Sequence, residues 1–312
     1  MKKDFKNVEK ISGRLYQHNL EKKTVQNKDS KNYGTEFISG TVDIATDEEG
    51  LNVIPIHYTY VTEMTSSGKK NVTYGVLDSI INGAKTWITD GKDAALKVRA
   101  NTALALNDFY TQDGELVSAR RNEGGFLNVI NELPPEEERA VFEVDMVITS
   151  ATRVEADGEN VPEDFVRLKG AIFNFRKDLL PVEFVCRRDD GMAYFESTDA
   201  SPTNPIFTEV RGHVVSNTIK REIEEESAFG SASVKTVTRT VREWQVSWAR
   251  PVEYTFGEED TITAEELKTA MQNRQVYLAE VKKRADDYRA SKANAQAAPK
   301  ANAAIPTGGF DF

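Results

Sequence analysis

The sequence has little of the chemistry that most metalloproteins and many enzymes use. Of its 312 residues, one is cysteine and three are histidine. A single cysteine, Cys186, excludes an intrachain disulfide and a zinc site built from several thiolates of one chain. The histidines His18, His57 and His213 lie far apart, and none has the spacing of a metal ligand. We therefore predict no metal site and no cofactor.

Catalytic motifs are missing as well. No glycine-rich loop ending in Lys-Ser or Lys-Thr follows a predicted strand, so nothing supports nucleoside triphosphate hydrolysis. The pairs Asp189-Asp190 and Asp286-Asp287 could bind Mg²⁺, but the first is typical of a hairpin turn and the second of an exposed helical face. Because the usual groupings of acid, base and nucleophile are lacking, we predict that the protein is not an enzyme.

Long hydrophobic runs are also absent. No apolar stretch approaches the length of a membrane span. Residues 1–6 lack the apolar segment of a signal peptide. We expect a cytoplasmic protein without a membrane partner, and its composition, 39% hydrophobic and 29% charged, is typical of a globular chain with a core.

The charge is unevenly distributed. The net charge is −10, yet residues 1–33 carry nine basic and four acidic side chains. This polar segment shows no sustained periodicity, and we interpret residues 1–34 as a basic, flexible arm. An acidic protein can still present a basic groove, because screening confines each charge to about 10 Å.

One stretch, residues 167–176, combines basic and aromatic side chains on a predicted strand. Successive side chains of a strand point to opposite faces. One face is then apolar, with Leu168, Gly170 and Ile172, and the other carries Arg167, Lys169, Phe173 and Phe175. Cations beside flat rings suit the backbone and bases of a nucleic acid.

A similar pattern recurs at three other places. An apolar residue and a polar residue precede a small one at Gly40, Ala100 and Gly212. Glycine inside a strand suggests a bend, a bulge or a close backbone approach, and small β-barrels need such features. The alternative is four ordinary half-buried strands with incidental glycines.

These signals predict a mainly β chain in five parts. After the arm at 1–34 we expect a β-barrel domain at 35–133, a second at 134–262, a helix at 263–290 opened by a capping box at Thr263, and a disordered linker and tip at 291–312.

Within these domains the sequence predicts several local features. They are a helix from Val76 to Thr89, a turn at residues 122–125, and a turn at 189–191 followed by a strand at 192–197. Near residues 241–243 the alternation of apolar residues changes phase, which predicts a bulge there or a strand that passes from one sheet to another.

The tandem barrels, the low-complexity linker and a terminal acid with phenylalanine resemble the OB-fold single-stranded DNA-binding proteins of bacteria and their phages. The resemblance implies two OB-like five-stranded β-barrels in tandem, a role in phage replication or recombination within the host cytoplasm, and a tail that recruits replication or recombination proteins. A homo-oligomer is compatible with it. The matching tail positions are Ile305, Pro306, Phe310, Asp311 and Phe312. The family usually carries several acids before the last phenylalanine, whereas here only Asp311 and the terminal carboxylate are negative.

We expect single-stranded DNA to bind by base stacking and phosphate neutralisation, with little sequence preference. The predicted stacking rings are Phe173, Phe175, Tyr58, Tyr60, Trp244 and Trp248, and core packing is the alternative for each. The predicted phosphate contacts are Arg167, Lys169, Arg176, Lys177, Arg99, Arg211, Arg187 and Arg188.

Two other functions fit the same sequence. A viral connector or tail protein would also have two β-domains and a terminal helix, and it would oligomerise without binding DNA. A replication accessory would bind the strand weakly and act through its helix and tail.

Overall fold

The computed structural model describes residues 5–157, 161–225, 233–253 and 261–297, with side chains omitted at 217–225, 233–239 and 293–297. In these ranges the chain forms eleven strands and four α-helices. The strands are β1 (Asn7–His18), β2 (Glu21–Thr24), β3 (Glu36–Ala45), β4 (Val53–Thr62), β5 (Lys97–Tyr110), β6 (Leu116–Val129), β7 (Ala140–Val154), β8 (Phe165–Phe173), β9 (Leu179–Cys186), β10 (Ile206–Glu225) and β11 (Ser233–Ala249). The helices are α1 (Val72–Ile81), α2 (Trp87–Asp90), α3 (Asp189–Glu196) and α4 (Ala264–Ala297).

The strand pairings close two five-stranded rings. In ring 1 the order is β1, β3, β4, β6, β5 and back to β1, with β4 and β6 parallel and β2 added at the edge of β3. In ring 2 the order is β7, β8, β9, β11, β10 and back to β7, with β9 and β11 parallel. Each ring also contains a helical connection. Helices α1 and α2 lie between β4 and β5 in ring 1, and α3 lies between β9 and β10 in ring 2. The predicted mainly β fold with a C-terminal helix is confirmed.

The first strands of the two rings pair with each other. β1 and β7 are antiparallel from Asn7 opposite Val144 to Ile11 opposite Ala140. The rings are therefore joined within one continuous sheet.

The prediction of a flexible arm at 1–34 is wrong for residues 7–24, most of which lie in β1 and in β2, which pairs with β3. β1 is part of ring 1, and its side chains Ile11 and Leu15 are fully buried. The inward positions also include Glu9 and Gly13, a charged and a side-chain-free residue. These two interrupt the alternation that would have revealed the strand.

The small residues inside strands do mark bends and close approaches, as predicted. The register of strand pairing changes next to Gly40, Ala100 and Gly212. It also changes in β7, opposite Gly170. A Cβ at Gly170 would overlap the carbonyl oxygen of Val147. The backbone of the partner strand therefore approaches too closely for any side chain.

The predicted bulge is misplaced. Pairing of β10 with β11 is regular through residues 241–243, and the irregularity falls at Ser247, between Gly212 opposite Val246 and Arg211 opposite Trp248. Two residues of β10 thus face three of β11, so the bulge separates Val246 from Trp248 and does not account for the phase change between Val241 and Trp244.

Three other local predictions are wrong. Residues 122–125 lie inside β6, where Gly124 gives room to the ring of Tyr58. Residues 189–196 form a helix, α3, rather than a turn and a strand. The predicted helix from Val76 to Thr89 divides into α1, which starts earlier, and α2, with Gly83 between them in a positive-φ conformation.

Helix α4 packs on ring 2 over a separate apolar cluster. Ala270 and Ile262 are buried there with Phe173 and Phe207. The predicted capping box is confirmed, because Thr263 Oγ1 accepts from the Glu266 amide at 3.1 Å and Glu266 accepts from the Thr263 amide at 3.0 Å. The helix continues to Ala297, so the predicted linker at 291–312 starts too early, and the remainder lies outside the described residues. Among the described helices, none is long and apolar enough to cross a membrane.

Candidate nucleic-acid interface

Three of the six predicted stacking rings are buried, and for these the prediction is wrong. Phe173 is fully buried, stacked on Phe5 with ring centroids 4.5 Å apart, beneath α4. Alternation put it on the outer face of β8, and that face is covered by the helix. A strand pattern cannot reveal such a layer, because the covering element comes about ninety residues later.

Tyr58 and Trp244 are buried for a different reason, since both pack in the main hydrophobic core. Tyr58 lies against Gly124, and burial raises the pKa of its hydroxyl. Trp244 donates its indole N–H to Glu9 Oε1 at 2.8 Å. Both side chains belong to the core rather than to a binding surface.

The other three predicted rings are exposed. Phe175 is 87% exposed, Trp248 45% and Tyr60 44%. Two of them have a cation beside the ring: the Arg176 guanidinium lies 5.2 Å from the Phe175 centroid, and that of Arg211 lies 4.6 Å from Trp248. The third, Tyr60, packs against Phe37 at 4.7 Å. Each ring therefore keeps a free surface next to a group that orients it.

Four of the predicted phosphate contacts already pair with carboxylates. The pairs are Arg167 with Glu183, Arg187 with Glu243 and Glu163, Arg188 with Asp190, and Arg211 with Glu209 and Glu143. Each of these arginines is neutralised by at least one carboxylate. A phosphate that bound there would have to compete with a carboxylate.

The other four cations make no ion pair with the described residues. Arg99 donates to the hydroxyl of Ser12 at 3.2 Å. Lys169 is exposed on β8. Arg176 and Lys177 are exposed on the turn between β8 and β9. Their positive charges remain available to a polyanion.

The turn that carries Phe175, Arg176 and Lys177 is held by one side chain. Asn174 Oδ1 accepts from the amides of Arg176 and Asp178, each at 2.9 Å. Lys177 adopts φ 66°, a left-handed conformation. A tight turn of this kind projects its central side chains outward.

This turn forms one wall of a cleft with a volume of about 720 Å³. The other walls are β5 and β6 of ring 1 and helix α4. The cleft brings Phe175 together with Tyr277, which is 40% exposed, and places Arg176 and Lys177 at the same site. Helix α4 is fixed there because Arg274 binds Asp108 through two contacts of 2.7 and 2.6 Å.

Sequence reasoning missed two rings, the exposed Tyr277 and the half-buried Phe37. In the sequence, an apolar stripe of α4 runs through Leu267, Met271, Leu278, Val281, Ala285 and Tyr288. Tyr277 lies beside this stripe rather than on it, and an aromatic ring off the stripe is the signal that could have identified it. Phe37 precedes the buried Ile38 and therefore faces outward, opposite the face that carries Ile38.

Ring 1 carries a second surface of similar character. Phe37 and Tyr60 lie on β3 and β4, its second and third strands. Lys23 of β2 lies opposite Phe37 in the sheet and makes an ion pair with Glu21 at 3.2 Å. In five-stranded OB barrels, the face formed by strands 2 and 3 binds oligonucleotides.

Among the described residues, no group of three or more His, Cys, Asp or Glu side chains is arranged to hold a metal ion.

The chain resembles two solved structures. The first is a deletion mutant of the single-stranded DNA binding protein from Thermus aquaticus, with 11% identity, a TM-score of 0.45, and coverage of 81% of this chain and 96% of that one. The second is the wild-type protein from the same organism, with 10% identity, a TM-score of 0.46, and coverage of 81% and 95%. No curated protein matches the sequence.

A family model described as YorF matches residues 6–284. This match includes both rings and most of α4. The chain belongs to the YorF family.

Proposed function

We propose that this protein binds single-stranded DNA, chiefly along the cleft between ring 1, the β8–β9 turn and α4. The observation that carries the proposal is the meeting of exposed rings and unpaired cations at one site. Phe175 and Tyr277 offer flat faces, and Arg176 and Lys177 are cations without an ion pair to a described residue. This combination suits a flexible polyanion whose bases stack on aromatic side chains.

Binding is passive in this mechanism. Bases stack on Phe175 and Tyr277 while Arg176 and Lys177 neutralise phosphates and release counterions. Every base has a face to stack, so sequence preference is small. The surface of Phe37, Tyr60 and Lys23 on ring 1 extends the path of the strand.

The biological setting belongs to the same proposal. The protein protects single-stranded DNA during phage replication or recombination and does not act as an enzyme. Its C-terminal tip, with Phe310, Asp311 and Phe312, recruits other proteins of these processes; the tip lies outside the described residues.

The test is a titration of a fluorescent dT oligonucleotide, followed by anisotropy at two salt concentrations. Stacking contributes about 1–3 kcal/mol per base. We therefore expect Phe175→Ala to weaken binding roughly 5- to 150-fold. The double variant Arg176→Gln, Lys177→Gln should lower the salt slope by about 1.4, since each phosphate contact on a single strand contributes about 0.7.

Matched controls come from exposed residues outside the cleft. Phe126→Ala removes an exposed ring of β6, and Lys85→Gln removes an exposed cation, and neither should change affinity or salt slope. No binding by the wild-type chain at low salt would overturn the proposal.

A second candidate is a viral assembly protein that does not bind nucleic acid. The pairing of Arg167, Arg187, Arg188 and Arg211 with carboxylates favours it, because these cations are already neutralised. Stable oligomers in sedimentation velocity, together with no anisotropy change, would support this candidate.

A further inference from the structure

A second cavity, of about 290 Å³, opens on ring 2 between β11 and α3. Trp248 and Tyr194 line it, and they are 45% and 36% exposed. Small-molecule pockets usually measure about 300–1,000 Å³, so this one has room for a single small ring system.

Contacts outside the cavity hold both aromatic side chains in place. The Tyr194 hydroxyl accepts from the Val252 amide at 2.8 Å, and the guanidinium of Arg211 lies 4.6 Å from the Trp248 ring centroid. Little side-chain freedom remains to be lost when a ligand enters.

The bulge at Ser247 shapes the cavity. It adds one residue to β11 next to Trp248, and Ser247 itself lines the cavity. Bulges redirect neighbouring side chains and leave the extra residue out of the ladder. The interior is apolar: Cys186 and Val246 are buried at its base, and burial raises the pKa of the Cys186 thiol, which therefore stays uncharged at neutral pH.

The rim provides one donor group and one acceptor group. Arg188 donates to Asp190 through contacts of 3.0 and 2.7 Å, and both side chains are largely exposed. The edge of a nucleobase carries donors and acceptors around a flat apolar ring.

We infer that this cavity takes a single nucleobase of the bound strand, turned out from its neighbours and held against Trp248 and Tyr194. The inference rests on the DNA binding proposed above. Arg211, whose guanidinium lies against the Trp248 ring outside the cavity, would bind a flanking phosphate in exchange for its contact with Glu209, while Arg188 remains at the rim for the edge of the base.

The test uses a thiol placed at the cavity by Ser247→Cys, with Ser79→Cys on the exposed face of α1 as the control. Each variant is first titrated with a labelled dT oligonucleotide to establish binding. The rate of iodoacetamide modification is then measured with and without saturating oligonucleotide, and peptide mass spectrometry assigns it to each cysteine. We expect at least a fivefold slower reaction at position 247 and no change at position 79.

Two further probes separate a base in the cavity from a strand that passes over it. An abasic oligonucleotide of the same length, at saturation, should leave position 247 reactive. Equal protection by the abasic strand would overturn the inference. So would protection by dTMP at the same nucleotide concentration, which would assign the cavity to free nucleotides.

The two proposals fail in different ways. Absence of oligonucleotide binding by the wild-type chain contradicts the proposed function. Tight binding with an unprotected thiol at position 247 contradicts only the nucleobase cavity.

Discussion

Glu9 lies at full burial between the two rings. Thr102 donates to one carboxyl oxygen at 2.7 Å and the Trp244 indole to the other at 2.8 Å. Burial is the largest influence on this carboxyl and raises its pKa to about 7, although both hydrogen bonds act in the opposite direction. The group is thus neutral in the folded protein at pH values where an exposed glutamate is ionised.

The sign of the resulting pH dependence follows from linkage. The folded pKa lies above the unfolded one, so the folded state binds more protons between about pH 4.5 and 7. The stability contributed by Glu9 is full below this window and is lost as pH rises through it. We expect Glu9→Gln to remove this loss, because glutamine stays neutral and can still bond to Thr102 and Trp244.

The measurement is urea unfolding of both proteins from pH 5 to 8. The variant should gain on the order of 2 kcal/mol relative to wild type between these limits. Parallel stability profiles would contradict the assignment.

The sequence predicted the exposure of single side chains correctly at some positions and wrongly at others. Phe175, Tyr60 and Trp248 are exposed as a stacking role requires, while Phe173 has the same pattern and is covered by α4. Ion pairing was equally hidden, because Arg187 meets Glu243 across 56 residues. Alternation fixes a face of the strand, but what covers that face depends on tertiary contacts.

Among the elements, α4 depends on a buried ion pair. Side-chain exposure is 9% for Arg274 and 1% for Asp108, which also accepts from Ser118 at 2.6 Å. Removing one member leaves a buried charge without a partner, which typically costs about 3–5 kcal/mol.

We therefore expect Asp108→Ala to destabilise the protein by about 3 kcal/mol and to speed hydrogen exchange in α4. The double variant Asp108→Leu, Arg274→Met should be less destabilised than the single one, since no charge is left buried. Asp164→Ala, which removes the exposed partner of Arg153, is the control and should change stability little. Equal effects of the Asp108 and Asp164 variants would contradict this account.

Elements were predictable where their signal is local. The capping box located the start of α4, and the small residues at positions 40, 100, 170 and 212 marked irregular strands correctly. Strand β1 was missed because Glu9 and Gly13 occupy inward positions. The glycines of β6 suggested a turn, but they make room for Tyr58 and for the backbone of β5.

At the scale of the molecule, each ring donates a hydrogen bond to the other or to a residue beside it. Arg120 of β6 donates to the carbonyl of Glu183 in ring 2 at 2.8 Å. In return, the amide of Ser216 on β10 donates to Asn52 beside ring 1 at 2.8 Å. With the β1–β7 pairing and the bond from Trp244 to Glu9, neither ring is independent of the other.

We expect the rings to unfold in a single cooperative transition. Tryptophan emission in a Trp87→Phe variant reports on ring 2, and Trp244 and Trp248 both lie there. A Trp248→Phe variant retains Trp87 and Trp244, so its emission includes the signal of Trp87 beside ring 1. The urea midpoints of the two signals should coincide, whereas separate midpoints would show that the rings unfold independently.

The position of β1 has a consequence for synthesis. This strand leaves the ribosome before any of its partners. Asn7 cannot pair until Val144 has been synthesised. Until β5 and β7 have emerged, the buried carboxyl of Glu9 and the apolar side chains around it are exposed in the nascent chain. Pairings of such long sequence separation slow folding. β1 therefore completes its pairing only after the residues up to Val154, the end of β7, have been translated.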